Sequence, residues 1–204
     1  MQLLRAIVTL SLLLLGTGRA MAECECLWKG AFSDVQADTQ LVLSGTVLST
    51  KGNSIDLLIN RTLRGEIHSD DVRIWLQTAD YCRPPVSEFP VGSQWVMALY
   101  KINKNVPGGF NPNTPSVSYG RVGDYRLSSC GGYWLSQSEQ WVSGNLIQAP
   151  RWVREPKMTP VLLDLLAQYV DGEVPAEALL QASKEDPALR ELMLDTRAFL
   201  RDAD

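Results

Sequence analysis

The chain has 204 residues, of which 45% are hydrophobic and 21% charged, so it is long enough to bury a core of its own. Its 19 basic and 23 acidic residues give a net charge of −4. This acidic balance argues against a nucleic-acid partner, which needs a basic face for its phosphates, and it provides no attraction to an anionic membrane.

The first 22 residues have the composition of an export signal. Arg5 supplies a positive charge, the apolar run from Ala6 to Leu15 follows, and Ala20-Met21-Ala22 matches a small-x-small cleavage site. The run is shorter than the roughly 20 residues that cross hydrocarbon. We therefore expect residues 1–22 to be a signal peptide, Glu23 to begin the mature chain, and the protein to be periplasmic or secreted, without stable membrane insertion after signal removal.

Four cysteines follow the expected cleavage site. Cys24 and Cys26 lie close together, and Cys82 and Cys130 lie far apart along the chain. In an exported protein four cysteines predict two disulfides, for which three pairings exist. A structural zinc site is the alternative, but no second closely spaced ligand pair accompanies Cys82 or Cys130. We therefore expect disulfides, no metal and no cofactor.

Residues 41–102 predict four β-strands. Leu41 to Leu48 is rich in β-branched and apolar residues, and residues 54–63 place apolar side chains mostly at every second position. Residues 71–77 alternate in the same way. Residues 94–102 form the most apolar run, which is typical of a strand inside a sheet.

Two further strands are predicted at residues 119–129 and 141–147. Between the fourth and fifth strands, residues 103–115 contain three prolines, two glycines and four asparagines, which favour turns. Five or six strands separated by turns, without helices between them, predict a mainly β fold. We expect a small antiparallel barrel or sandwich over residues 23–150.

The pattern becomes helical over residues 157–204. Thr159 is the predicted N-cap and Pro160 the first residue of a helix that ends at Gly172, and two shorter helices follow. Apolar residues recur at helical spacing, so the tail is amphipathic. It packs on the barrel or on itself, or it presents a partner-binding surface.

The order of cysteines and strands resembles the netrin-like modules, and in particular the N-terminal domain of the tissue inhibitors of metalloproteinases. That family has a Cys-x-Cys near its mature start, a loop cysteine after the third strand and a cysteine that ends the fifth. Here Cys24-Glu25-Cys26, Cys82 and Cys130 take those places. The resemblance implies an OB-like barrel and the disulfide pairs Cys24–Cys82 and Cys26–Cys130.

The resemblance also implies protein binding. In the inhibitors the first cysteine is the mature N-terminus and chelates the protease zinc, and the residue between the two cysteines enters the specificity pocket. Here Glu23 precedes Cys24, and Glu25 would carry a charge into a largely apolar pocket. We therefore expect an exported, non-catalytic module with an unknown protein partner. Inhibition of an exported metalloprotease is the first alternative.

Candidate binding residues are Glu23, Glu25 and Trp28, which form an exposed ridge if the fold is right, and Phe110 in the long loop. No catalytic residue is assigned, because His68 is the one histidine and no Gly-x-Ser-x-Gly or phosphate-binding loop is present. A small periplasmic hydrolase or metal-dependent enzyme with converging acids is the second alternative. Of the six tryptophans, most are expected to pack and one or two to anchor a partner.

Overall fold

The structure is a computed structural model that describes residues 24–78, 81–105, 118–188 and 191. The predicted signal peptide, residues 1–22, lies outside the described residues. The same is true of the candidate site residues Glu23 and Phe110, and of most of the third predicted helix of the tail.

Within the described residues the strands form one sheet of eight, and five of them close into a barrel. β2, β3, β5 and β4 follow β1 in that order, and β4 pairs again with β1. β6, β7 and β8 continue the sheet from the other edge of β4. The strands are β1 (Leu41–Lys51), β2 (Ser54–Arg64), β3 (Asp71–Trp75), β4 (Gln94–Lys101), β5 (Tyr125–Arg126), β6 (Trp134–Ser138), β7 (Trp141–Gly144) and β8 (Val161–Leu162).

One ladder of the barrel is parallel. β3 and β5 run in the same direction, with Ile74 opposite Tyr125, whereas the other ladders of the described sheet are antiparallel. A closed ring of five strands cannot alternate direction at every seam, because five is odd. The prediction of a mainly β fold is therefore confirmed, and the prediction of a purely antiparallel barrel is wrong at this seam.

The first four predicted strands are present, and the later ones differ from expectation. The strand predicted at residues 119–129 is confined to Tyr125–Arg126, because Gly120 and Gly123 adopt positive φ angles that interrupt the ladder. β6 and β8 were not predicted. β6 is short and largely polar, and it is held by antiparallel pairing with β4 and β7 on its two sides.

The helices are short, and the described α-helices come before and after the barrel strands in the sequence. α1 spans Phe32–Val35 and runs into a 3-10 turn, and another 3-10 turn spans Val86–Glu88. α2 spans Leu163–Val170 and α3 spans Ala176–Ser183. None of the helices in the described part of the chain is long and apolar enough to cross a membrane.

The predicted helix start at Thr159 and Pro160 is wrong. The next two residues form β8, where Val161 pairs with Val142, and α2 begins only at Leu163. Strand pairing at the open sheet edge therefore prevails over local helical periodicity.

The tail packs on the barrel through residue 183. Leu166, Val170 and Leu179 are buried in the same core cluster as the barrel residues. The Tyr169 hydroxyl donates a hydrogen bond of 2.8 Å to the carbonyl of Ser33, in α1. The described part of the tail and the barrel therefore share one hydrophobic core.

Candidate functional site

The N-terminal ridge, defined as residues 24–28, is held by two disulfides. Cys24 is bonded to Cys82, with Cα atoms 5.2 Å apart, and Cys26 is bonded to Cys130, with Cα atoms 5.7 Å apart. These are the pairs that the resemblance implies. Because the two bonded residues flank a single residue, the backbone of the ridge is fixed on both sides of Glu25.

Backbone hydrogen bonds continue this attachment beyond the ridge. Lys29 N–H donates to the Cys130 carbonyl over 2.8 Å, and Gly132 N–H donates to the Gly30 carbonyl over 2.9 Å. At the start of α1, Phe32 N–H donates to the Asn145 carbonyl over 2.8 Å. The chain therefore passes from the ridge into the barrel without a free segment.

The ridge presents one charged and one apolar side chain to solvent. Glu25 is exposed, as predicted, and belongs to neither a helix nor a strand. Leu27 is 89% exposed, more than any other large apolar residue in the described part of the chain. Leu27 was not among the predicted site residues. The feature of the sequence that could have indicated Leu27 is its position as an apolar residue directly after Cys26, in a segment without helical or strand periodicity.

Trp28 anchors the ridge. Its side chain is half-buried, and the indole N–H donates a 2.6 Å hydrogen bond to the carbonyl of Ala149. Its ring meets the edge of Trp152, with centroids 6.3 Å apart. Trp28 is therefore only partly exposed on the ridge, because its indole N–H and its ring both have partners in residues 149–152.

A buried cation lies next to the ridge. Arg83 follows Cys82 directly, is 6% exposed, and donates to the Tyr119 carbonyl over 3.0 Å. Its guanidinium also lies 5.0 Å from the ring centroid of Tyr81. Burial, and secondarily the charge of Arg126, lowers the pKa of Arg83 to about 10. These contacts fix the chain on the barrel side of the first disulfide.

The four cysteines are also the place where metal ligands converge. Their sulfur atoms lie within 4.8 Å of one another, and no other group of three or more His, Cys, Asp or Glu residues converges in this way within the described ranges. The four sulfurs are bonded as two disulfides, and the disulfide form leaves no thiolate to bind zinc. His68, exposed in a polar turn, belongs to no such group.

The six tryptophans take different positions. Trp75 and Trp134 are buried at 3% and 5% exposed, Trp95 is half-buried on β4, and Trp141 and Trp152 are 43% and 39% exposed. The rings of Trp28 and Trp152 are in contact.

No protein-family model matches the chain, and no curated protein matches it either.

Proposed function

We propose that the protein is an exported, non-catalytic protein-binding module of the netrin-like type, and that the N-terminal ridge contacts its partner. The proposal rests on Leu27, whose side chain is 89% exposed on a segment fixed by two disulfides. A large apolar side chain on a rigid backbone supplies contact area at little conformational cost on binding.

The strand order supports an OB-like barrel. OB-folds are five-stranded barrels with Greek-key connections. Here β1, β2, β3, β5 and β4 follow one another around a closed ring. A cysteine segment clamped onto such a barrel is the arrangement that the netrin-like resemblance implies. The strand order and the disulfide pairs together support that assignment.

The disulfides also support export, because such bonds form and persist in oxidising compartments. Intact-mass measurement and disulfide mapping of the native protein test this step. We expect a chain that begins at Glu23 and carries both bonds. Retention of residues 1–22, or free thiols in the native protein, would contradict export.

Partner binding is tested with matched variants of the mature protein. The immobilised protein is exposed to the native exported fraction, and retained proteins are quantified by mass spectrometry. We expect a partner that wild type retains and that Leu27→Ser and Glu25→Arg lose. Leu48→Ser, on an exposed position of β1, and Glu173→Arg, in the turn after α2, are controls that should retain it. Equal recovery by all four variants would place the contact elsewhere.

Inhibition of an exported metalloprotease is the second candidate. It is favoured by the exposure of Glu25 and Leu27 on a segment that belongs to neither a helix nor a strand, since a protease cleft accepts an exposed segment of this kind. Assays with zinc-dependent proteases separate the two candidates. Inhibition by wild type that Glu25→Arg abolishes would support the inhibitor, and inhibition unchanged by that substitution would count against action through the ridge.

A further inference from the structure

A groove lies over β4, β6 and β7, and one of its lining residues, Trp152, also contacts Trp28 of the N-terminal ridge. It has a volume of about 650 Å³, inside the roughly 300–1,000 Å³ range of ligand pockets. We call it the tryptophan groove and define it by its floor of Trp95, Trp134, Ser136 and Ser143 and its two walls, residues 87–90 and 152–158.

The floor is a row of side chains across three strands. Trp95 on β4 is the cross-strand partner of Ser136 on β6, and Ser136 is the partner of Ser143 on β7. The structure records no hydrogen bond from either serine hydroxyl to another described residue. Each hydroxyl is thus a donor and an acceptor for a ligand in the groove.

The aromatic side chains are held before any ligand arrives. The indole N–H of Trp95 donates to the Ser93 hydroxyl over 2.7 Å, and the ring of Phe89 lies edge-on to Trp95 with centroids 5.1 Å apart. Trp152 packs on Trp134 with centroids 4.5 Å apart, yet remains 39% exposed. A ligand that stacks on the exposed part of Trp152 therefore meets a ring that is already fixed, without a further entropic cost.

Asn145 fixes the wall that carries Trp152. Its side-chain amide donates to the Val153 carbonyl over 2.8 Å, and its side-chain oxygen accepts from the Val153 N–H over 3.1 Å. These two bonds hold residue 153 as a neighbouring strand would. The adjacent Trp152 is therefore a fixed platform despite its exposure.

The charges at the rim are mixed. Glu88 lies on one wall, and Arg154 and Glu155 lie on the other. A groove with both signs of charge favours a neutral ligand over a polyanion or a polycation. Carboxylate and guanidinium groups each bind paired hydroxyls, because each offers two acceptors or two donors side by side.

We propose that the tryptophan groove binds a neutral oligosaccharide of pyranose units. A pyranose ring has an apolar face of C–H groups, which fits a tryptophan face, and a rim of hydroxyls, which fits serine hydroxyls, carboxylates and a guanidinium. A peptide that adds a strand fits less well, because it needs a free sheet edge and β6 is paired on both sides.

The test is calorimetric titration of the mature protein with cellotetraose, chitotetraose, maltotetraose and mannotetraose. We expect at least one to bind and to change the tryptophan fluorescence. Trp152→Ala should weaken that binding by about tenfold or more, as truncation of an aromatic anchor does. Trp141→Ala is the matched control, because Trp141 is equally exposed but lies outside the groove, and it should change binding less than about twofold.

Ser136→Ala is a second variant, which removes one hydroxyl from an exposed position and should also weaken binding. Glu25→Arg should leave it unchanged, so this result is independent of the ridge. Failure of all four saccharides to bind would overturn the proposal. Saccharide binding that Trp152→Ala leaves intact would also overturn the proposal. So would binding of decaproline that Trp152→Ala and Ser136→Ala abolish.

Discussion

Trp28 donates its indole N–H to the carbonyl of Ala149, a residue 121 positions further along the chain, over 2.6 Å. The bond joins the N-terminal ridge to the segment that leaves β7. That segment also carries Trp152, whose ring contacts both Trp28 and Trp134. The ridge and one wall of the tryptophan groove are thus connected through a single aromatic contact.

Trp28→Phe should lower the free energy of unfolding by about 1–2 kcal/mol, because the Ala149 carbonyl loses its donor in a partly buried place. Urea denaturation measures the change. Trp141→Phe, at a position 43% exposed on β7, is the control and should shift stability by less than about 0.5 kcal/mol. Equal effects of the two substitutions would show that the hydrogen bond contributes nothing.

Removal of either disulfide should destabilise the protein by a similar amount. The bonds span 58 and 104 residues, and loop entropy grows only with the logarithm of length, which gives roughly 4 kcal/mol for Cys24–Cys82 and roughly 5 kcal/mol for Cys26–Cys130. Each pair is replaced by serines in turn, and denaturant midpoints and slopes are compared. A near-zero effect of one pair would mean that the other disulfide and the backbone hydrogen bonds hold the ridge without it.

Gly132→Ala tests the close approach behind the ridge. An added Cβ would lie 2.6 Å from the Asn145 carbonyl oxygen and 2.7 Å from the Phe32 nitrogen, which are themselves hydrogen-bonded. We expect a loss of about 2–3 kcal/mol of stability, since neither backbone atom can move away easily. Gly131→Ala is the neighbouring comparison, because its Cβ would meet the side chains of Tyr133 and Val35 at 3.0 Å and the Gly30 carbonyl oxygen at 3.3 Å, and these longer distances require smaller shifts. A larger loss at Gly131 would contradict this account.

The first half of the barrel is predicted well because each of its strands can be identified from its own residues alone. β1 and β2 are long, their apolar positions are regular, and Lys51-Gly52-Asn53 marks the turn between them. β6 and β8 lack such signals. Val161–Leu162 forms a strand because β7 offers a free edge, while the leucines that follow have helical spacing. Pairing of this kind depends on residues distant in sequence.

The two candidate sites also differ in how far the sequence predicts them. The Cys-x-Cys spacing is visible in the sequence and predicts a fixed segment, but the exposure of Leu27 depends on what packs beside it. The tryptophan groove cannot be predicted from the sequence. Trp95, Trp134 and Trp152 come together only because β4 pairs with β6 and because the Asn145 side chain is hydrogen-bonded to residue 153. Six tryptophans indicate aromatic packing without indicating which faces stay open.

A cross-strand ion pair should make stability depend on acid pH. Asp56 on β2 faces Arg73 on β3, which donates two hydrogen bonds of 2.7 and 3.0 Å to its carboxylate. These bonds lower the pKa of Asp56 from 3.8, and a hydrogen bond from the Ser49 hydroxyl and the charges of Arg73 and Lys51 act in the same direction, against the opposing effect of burial. A lowered pKa in the folded state stabilises the fold when the carboxyl is ionised.

This contribution is therefore complete above the ordinary carboxyl pKa of 3.8, and it is lost as pH falls from there through the lowered pKa of folded Asp56. Asp56→Asn should cost about 2 kcal/mol at pH 6 and progressively less as the pH falls through the lowered pKa of folded Asp56, because wild type then becomes protonated too. Urea titrations at a series of pH values measure the difference. Asp164→Asn removes a carboxylate whose side chain is 79% exposed in its pair with Arg61, so its effect should stay below about 0.5 kcal/mol throughout. A cost of Asp56→Asn that does not shrink in acid would mean that the amide disturbs packing between β2 and β3, and that the ion pair contributes little.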